Sequence, residues 1–406
     1  MEKRKALSLF ASILVAGGVL AGCGNEDSSA DKPEENAQVA EENTENTPVE
    51  EDQTQGEEFP LEESATAVQV ADYKAMMTEL GKMKEDQEVD WSLVEETYQN
   101  ELKAVTGDFD VFITSGINAG KNGELEQNVA RQLIDKGTQS YFYSKQKSLQ
   151  GDVGTALEAG EQAKAEAIFE EFKYLLNEVI IPTAEKRDGY YELTGEDSMV
   201  ESINTGLSLL EEALTNGNID DFSVYKQITD KTIYRSYYLA SNSYAEKIAK
   251  AVSEGNTDET ELMIMQAEAL GFYQAIKGSL SGGDEDAANQ LQVIFDFSQT
   301  DATEVNPEEV SNLFVKAFIG KIIGYHEKAA TSLAEGDVTK ARVQAMEGNI
   351  FLKDIELALN EKLGEEKTTE LLDHAQKWYE AIANENVDEV AQHSDAIVPV
   401  LKGVVQ

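Results

Sequence analysis

The stretch Arg131–Gly160, RQLIDKGTQSYFYSKQKSLQGDVGTALEAG, returns without a gap as Lys226–Gly255, KQITDKTIYRSYYLASNSYAEKIAKAVSEG. Most of the positions that differ keep their polarity class. A self-similar period of this kind indicates that one supersecondary unit was copied along the chain. The identical pairs are Gln132/Gln227, Asp135/Asp230, Lys136/Lys231, Tyr143/Tyr238, Ser148/Ser243, Ala156/Ala251 and Gly160/Gly255.

Each copy has helical spacing and ends in a glycine, which predicts a hairpin of two helices joined by a tight turn. A third copy follows, because Ala156–Val179 aligns with Ser332–Ile355 and Tyr244-Ala-Glu-Lys resembles Tyr325-His-Glu-Lys. Strand signals are nearly absent. The sequence therefore predicts an all-α fold of tandem helical-hairpin repeats, either bundle-like or solenoid-like.

The second helix of the first hairpin is expected to run from Ala156 to Ile180 and to end before Pro182. Residues 107–123 contain several glycines and are expected to be a connection with a short helix. The predicted organisation is a leader at 1–22, an acidic linker at 23–66, and helical units at 67–195, 196–300 and 301–406, the last with additional C-terminal helices.

The first 22 residues have the pattern of a bacterial lipoprotein leader. Three basic residues precede an apolar run too short for a stable membrane span, and the run ends in Leu20-Ala21-Gly22-Cys23. Cys23 is the single cysteine of the chain and occupies the position that would carry diacylglycerol and palmitate. The sequence predicts an extracytoplasmic protein that is anchored to the cell membrane through lipid on Cys23.

Acidic residues dominate the composition, with 78 Asp and Glu against 33 Lys and Arg and a net charge of −45. Such a polyanion repels nucleic acid, so nucleic acid is excluded as a partner. From Gly24 to about Ser64 the chain has almost no apolar residues. This stretch is predicted to be a disordered tether, because it cannot bury enough surface to fold.

Motifs of known catalytic chemistry are missing: there is no phosphate-binding glycine loop, no HExxH and no nucleophile elbow. The chain is therefore predicted not to be an enzyme. The residues that recur are acids, which helical bundles use in oxygen-ligand metal sites. Candidate metal ligands are Glu171, Glu268 and Glu347 on the second helices, Asp135 and Asp230 on the first helices, and His326.

A second interpretation of these acids stays open. Asp135 and its copy Asp230 are each followed by lysine, so they are also expected to cap or salt-bridge the hairpins, with the tyrosines filling the core. Each glutamate lies near aromatic residues, where an unpaired charge is costly to bury. That cost keeps the metal interpretation under consideration.

The segments RQLIDKGTQSYFY and KQITDKTIYRSYY, with second helices that read EEFKYLL and AEALGFYQAIKGSL, resemble the low-iron-inducible periplasmic proteins, also called Fe-assimilating proteins. The resemblance covers the chain from Ala67 onward. It implies a surface protein linked to iron assimilation, with a metal ion or an envelope transporter as partner and iron as the candidate ligand. Where that family has an acid pair, the chain has Glu170-Glu171, Ala267-Glu268 and Met346-Glu347.

Two functions follow as expectations. The first is a lipid-anchored helical protein that captures iron or another hard cation outside the membrane. The alternative is a helical-repeat envelope scaffold without a small ligand, since stacked hairpins form surfaces that bind partner proteins.

Overall fold

The computed structural model describes residues 60–405, and in that range the chain forms helices and no β-strand. The all-α prediction is confirmed. The predicted leader, Cys23 and the linker up to residue 59 lie outside the described residues. The helices are α1 (Ala65–Gly81), α2 (Trp91–Glu101), α3 (Asp110–Asn122), α4 (Gln127–Glu158), α5 (Gln162–Leu175), α6 (Ile181–Tyr191), α7 (Met199–Thr215), α8 (Ile219–Ser253), α9 (Glu259–Ser281), α10 (Glu285–Phe295), α11 (Pro307–Ala334), α12 (Val338–Asp354), α13 (Glu356–Leu363), α14 (Glu365–Ala383) and α15 (Val387–Val404).

Three long helices, α4, α8 and α11, each turn back into a second helix at a glycine. Gly160, Gly255 and Gly336 have φ angles of 72°, 89° and 82°. This left-handed backbone is favourable for glycine, which has no Cβ to collide with the next carbonyl. In each turn the residue after the glycine donates its amide to the carbonyl five residues earlier, as Glu161 does to Ala156 at 2.9 Å. The three turns therefore close in the same way.

The second helix of a hairpin packs against two long helices at once. Helix α9 contacts α4 as well as α8, and α12 contacts α8 as well as α11. Side chains from successive hairpins therefore meet along each of these seams. One hydrophobic core runs from α1 to α15 and crosses the predicted boundaries between the three helical units.

The middle segments of α4 and α8 are buried on every side, although they carry polar residues. All positions from Gln132 to Tyr143 on α4 are buried, and so are all positions from Thr229 to Ser243 on α8. A helix enclosed in this way is normally apolar all round. The polar residues in these two segments must therefore find partners inside the protein.

The first hairpin differs from the expectation after its second helix. Residues Leu176–Ile180 form a π-helical turn and the chain continues directly as α6, with Pro182 in its first turn. The prediction that helix ends before Pro182 is therefore wrong, because proline is tolerated where a helix begins and its missing amide needs no partner. Residues 107–123, expected to be a connection with a short helix, contain α3, which spans most of this stretch.

We predict that Gly255→Ala destabilises the protein by about 1–2 kcal/mol, because alanine is strained in the left-handed region. Gly189→Ala is the matched control. Gly189 is helical and an added Cβ meets no atom within 4 Å, so this change should stabilise by about 0.5–1 kcal/mol. Urea unfolding measures both, and equal stability of Gly255→Ala and the wild type would contradict the turn geometry.

Candidate functional site

A buried ion pair lies at the centre of α4. The ammonium of Lys136 is 2.8 Å from the carboxylate of its neighbour Asp135, and the two side chains are 9% and 8% exposed. Consecutive residues diverge on a helix, so the long lysine side chain must fold back to make this contact. Asp135 also accepts hydrogen bonds from the Tyr73 hydroxyl at 2.6 Å and from the Gln139 amide at 2.8 Å.

These partners keep Asp135 ionised. Burial by itself would raise the pKa of the Asp135 carboxyl, but the charge of Lys136 and hydrogen bonds from Lys136 and Tyr73 outweigh burial and lower the pKa to about 2. The pair therefore carries full opposite charges at neutral pH. Its formation agrees with the salt-bridge interpretation of the Asp-Lys dipeptide.

Helix α9 approaches α4 closely at Lys136. A Cβ added to Gly271 would lie 2.2 Å from the Cβ of Lys136, so only glycine fits there. The approach places the Lys136 ammonium 4.8 Å from the centre of the Phe272 ring, a cation–π contact. Ser140 of α4 secures the crossing by donating to the Gly271 carbonyl at 3.0 Å.

Tyr244 of α8 forms the far wall of the same region. Its ring stacks on Phe272 with 6.3 Å between ring centres, and burial together with the charge of Glu268 raises the pKa of its hydroxyl. Two cations lie over the Tyr244 ring, Lys247 at 4.4 Å and Arg187 at 5.6 Å. Burial and the nearby Arg187 lower the pKa of Lys247, so positive charges repel one another here.

These groups enclose a cavity of about 330 Å³, which we call the first polar site. Its lining contains more positive than negative side chains: Lys84, Arg131, Lys136, Lys186 and Arg187 against Asp135 and Glu268. Lys136 and Arg187 are buried, whereas Lys84 and Lys186 are exposed at the rim. Five cations thus line one cavity of a chain whose net charge is −45.

Several buried polar atoms of this lining have no hydrogen-bond partner among residues 60–405. They are Nε of Arg131, Nε of Arg187 and Oε1 of Gln132. Arg187 is 4% exposed, and its Nη1 donates a hydrogen bond to Ser243 Oγ at 2.6 Å. Buried polar groups are nearly always satisfied, so residues with unpaired buried atoms are unusual, and three of them line this cavity.

A second group with the same residue types lies between α4, α8 and α12, and we call it the second polar site. It encloses about 270 Å³ and is lined by Lys147, Gln150, Gly151, Lys226, Gln227, Asp230, Lys231 and Glu347. Lys231 pairs with Asp230 at 2.7 Å and lies 5.6 Å from the Phe351 ring centre. Tyr325 stacks on Phe351 with 5.9 Å between centres. The contacts of Asp135, Lys136, Phe272 and Tyr244 therefore recur.

The two polar sites differ in the role of the glutamate. Glu347 makes an ion pair with Lys231 at 2.9 Å, whereas no ion pair joins Glu268 to Lys136 in the described part of the chain. Burial alone would lower the pKa of Lys231, but Asp230 and Glu347 together raise it. The second polar site is therefore partly neutralised by its own carboxylates.

The structure does not bring the three candidate glutamates together. Glu268 lies with Asp135 in the first polar site and Glu347 lies with Asp230 in the second. Glu171 lines neither cavity and accepts a hydrogen bond from Thr66 at 2.5 Å. Within residues 60–405 no three His, Cys, Asp or Glu side chains are grouped so that they could hold a metal ion.

His326 lines neither polar site. Its ring stacks on Trp378 with 3.8 Å between centres, and its Nδ1 is 3.0 Å from Ser394 Oγ. Burial lowers the pKa of His326 to about 3, so the ring is neutral. The histidine joins α11 to α14 and α15.

Sequence reasoning identified Asp135, Asp230, Glu268 and Glu347 but missed the cations around them. The sequence did indicate one cation in each site, because each copy begins with a basic residue, Arg131 in the first and Lys226 in the second. No repeat pattern indicated Arg187, which comes from α6 in the segment between the copies.

None of the helices in the described range is long and apolar enough to cross a membrane. The chain matches no protein-family model, and no curated protein and no solved structure is significantly similar to it. The resemblance to the Fe-assimilating proteins stays a prediction.

We predict that the wild type is more stable than Asp135→Asn at pH 5. As the pH is lowered from 5 to 2, the difference between their free energies of unfolding should decrease by about 2 kcal/mol. The folded pKa of Asp135, about 2, is below the ordinary value of 3.8. The carboxylate therefore stabilises the fold above its unfolded pKa, and this contribution is lost as the pH falls through the folded pKa.

Urea unfolding at several pH values measures the difference. Asp395→Asn, which removes an acid outside both polar sites, controls for the general loss of charge. A constant difference between the wild type and Asp135→Asn would show that Asp135 is not held ionised by Lys136.

Proposed function

We propose that the chain is a lipid-anchored extracytoplasmic binding protein whose first polar site takes a small anion bearing carboxylate or phosphate groups. The proposal of a lipid anchor rests on the lipoprotein leader pattern and Cys23. The proposal of an anionic ligand rests on one observation, which is the excess of cations over carboxylates in a cavity of a strongly acidic chain.

Charge is the main support for an anionic ligand. The long-range field of the chain attracts cations and repels anions, so a cavity with net positive charge departs from the rest of the molecule. Like charges that face one another destabilise a fold unless something compensates them. An anion in the first polar site would supply the missing negative charge for Arg131, Lys186 and Arg187.

The donor types suit carboxylate or phosphate oxygens. A guanidinium presents N–H groups in a planar fork that matches two oxygens of such a group, and Nε of both arginines has no hydrogen-bond partner among the described residues. The lysines act as point charges, and the Phe272–Tyr244 stack offers an apolar wall. A volume of about 330 Å³ is at the lower end of ligand pockets, which favours a small molecule.

Iron would suit the positive charge of the first polar site only as part of an anionic complex. A bare ferrous or ferric ion would have to displace the ammonium of Lys136 from Asp135 and would face the neighbouring arginines. Iron held by a polycarboxylate arrives as an anion instead. We therefore propose an anionic iron chelate as the form in which the protein would bind iron.

The test is thermal unfolding of the chain from residue 23 onward, with citrate, phosphate, ferric citrate or manganous ion added separately. A specific anion at a hundred times its dissociation constant should stabilise by about 2.7 kcal/mol, and added salt should weaken the effect. The double variant Lys84→Gln/Lys186→Gln should lose most of this shift, because it removes two rim charges without touching the core.

Lys164→Gln is the matched control, since Lys164 is exposed on α5 and lines neither polar site. Its shift should equal that of the wild type. Stabilisation by manganous ion with no response to any anion would contradict the proposal and favour the cation-capture prediction.

A further inference from the structure

The lining of the second polar site contains three lysines against two carboxylates, and two more lysines lie over its aromatic wall. Lys321 lies 5.1 Å from the Phe351 ring centre and Lys328 lies 5.1 Å from the Tyr325 ring centre. Together with the lining residues Lys147, Lys226 and Lys231, they place five ammonium groups around Asp230 and Glu347.

One of its two carboxylates is more exposed to solvent than the other. Asp230 is 6% exposed and is held by Lys231 at 2.7 Å and by the Gln146 amide at 3.0 Å. Glu347 has a side chain that is 15% exposed, and it reaches Lys231 from α12 across the cavity. Glu347 lines the cavity, so its carboxylate occupies the face of Lys231 that an incoming anion would meet.

We infer that the second polar site binds a second anion of the same class, and that Glu347 is a built-in competitor which occupies the ammonium of Lys231 in its absence. The inference rests on the proposed function of the first polar site. An incoming carboxylate or phosphate would replace the Glu347 carboxylate on Lys231 and contact Lys147 and Lys226 at the mouth. The second site is therefore the weaker of the two.

The ionisation of Lys321 supports this assignment. Burial, and then the charge of Lys231, lowers the pKa of Lys321 to about 8. The groups that face it are Lys231, Lys328 and Lys147, which lower the pKa further, and Glu347, which raises it. Its Nζ donates to the Ser279 carbonyl at 3.1 Å. A bound anion would raise this pKa again, so binding near pH 8 should take up a proton.

Isothermal titration calorimetry of the chain from residue 23 onward with citrate tests the inference through Glu347→Gln. The variant should bind two equivalents, with the second at least tenfold tighter than in the wild type, because glutamine cannot compete for Lys231. Adding Lys147→Gln and Lys226→Gln should abolish this gain. Glu335→Gln, which removes an exposed acid outside both cavities, should leave the isotherm unchanged.

Proton uptake gives a second readout. Titrations at pH 8 in buffers of different ionisation enthalpy should show uptake for the second equivalent, and the uptake should vanish with Lys321→Met. Circular dichroism of each variant confirms that it is folded.

The outcomes separate the two proposals. A Glu347→Gln variant that binds one equivalent, with wild-type affinity, would overturn the second site and leave the first intact. A gain that survives Lys147→Gln/Lys226→Gln but is lost in Lys84→Gln/Lys186→Gln would also overturn it, since the gain would belong to the first site. No binding of citrate or phosphate by any variant would overturn the proposed function as well.

Discussion

A lysine that is buried in a protein interior needs a negative charge beside it. The partner of Lys136 is the preceding residue, Asp135. The Asp135–Lys136 pair costs desolvation of two ions, which a single contact rarely repays without further hydrogen bonds. Tyr73 and Gln139 supply those bonds. The hydrogen bond from Tyr73 also ties α1 to α4, so the pair links the start of the described chain to its centre. The same arrangement on α8 pairs Lys231 with Asp230.

The hairpins pack so that each of these ion pairs lines a cavity. Because α9 bridges α4 and α8, its Phe272 and Glu268 meet Lys136 from one hairpin and Tyr244 from the next. Helix α12 does the same for Lys231. Each polar site is thus assembled from more than one hairpin, and no single hairpin contains a complete one. This dependence explains why the buried segments of α4 and α8 retain polar residues where a helix enclosed on all sides would ordinarily be apolar.

Much of the fold was predictable, because the period, the helical spacing and the turn glycines are local signals. Gly160, Gly255 and Gly336 adopt the left-handed backbone that their position in the copies predicted. The prediction from Pro182 was wrong, because proline can end one helix but also fits the first turn of the next. The acids of the candidate site were found, but their chemistry depends on which charges lie opposite them. That depends on how α6 and α9 pack against α4, which no local pattern encodes, and Arg187 illustrates the point.

The central claim is that the first polar site holds an anion rather than a cation. Anomalous diffraction from crystals of the chain grown with selenate, and separately with manganous ion, tests it most directly. The account predicts a selenium peak inside this cavity, beside the guanidinium groups of Arg131 and Arg187. A manganese peak between Asp135 and Glu268, with no selenium in this cavity, would contradict it.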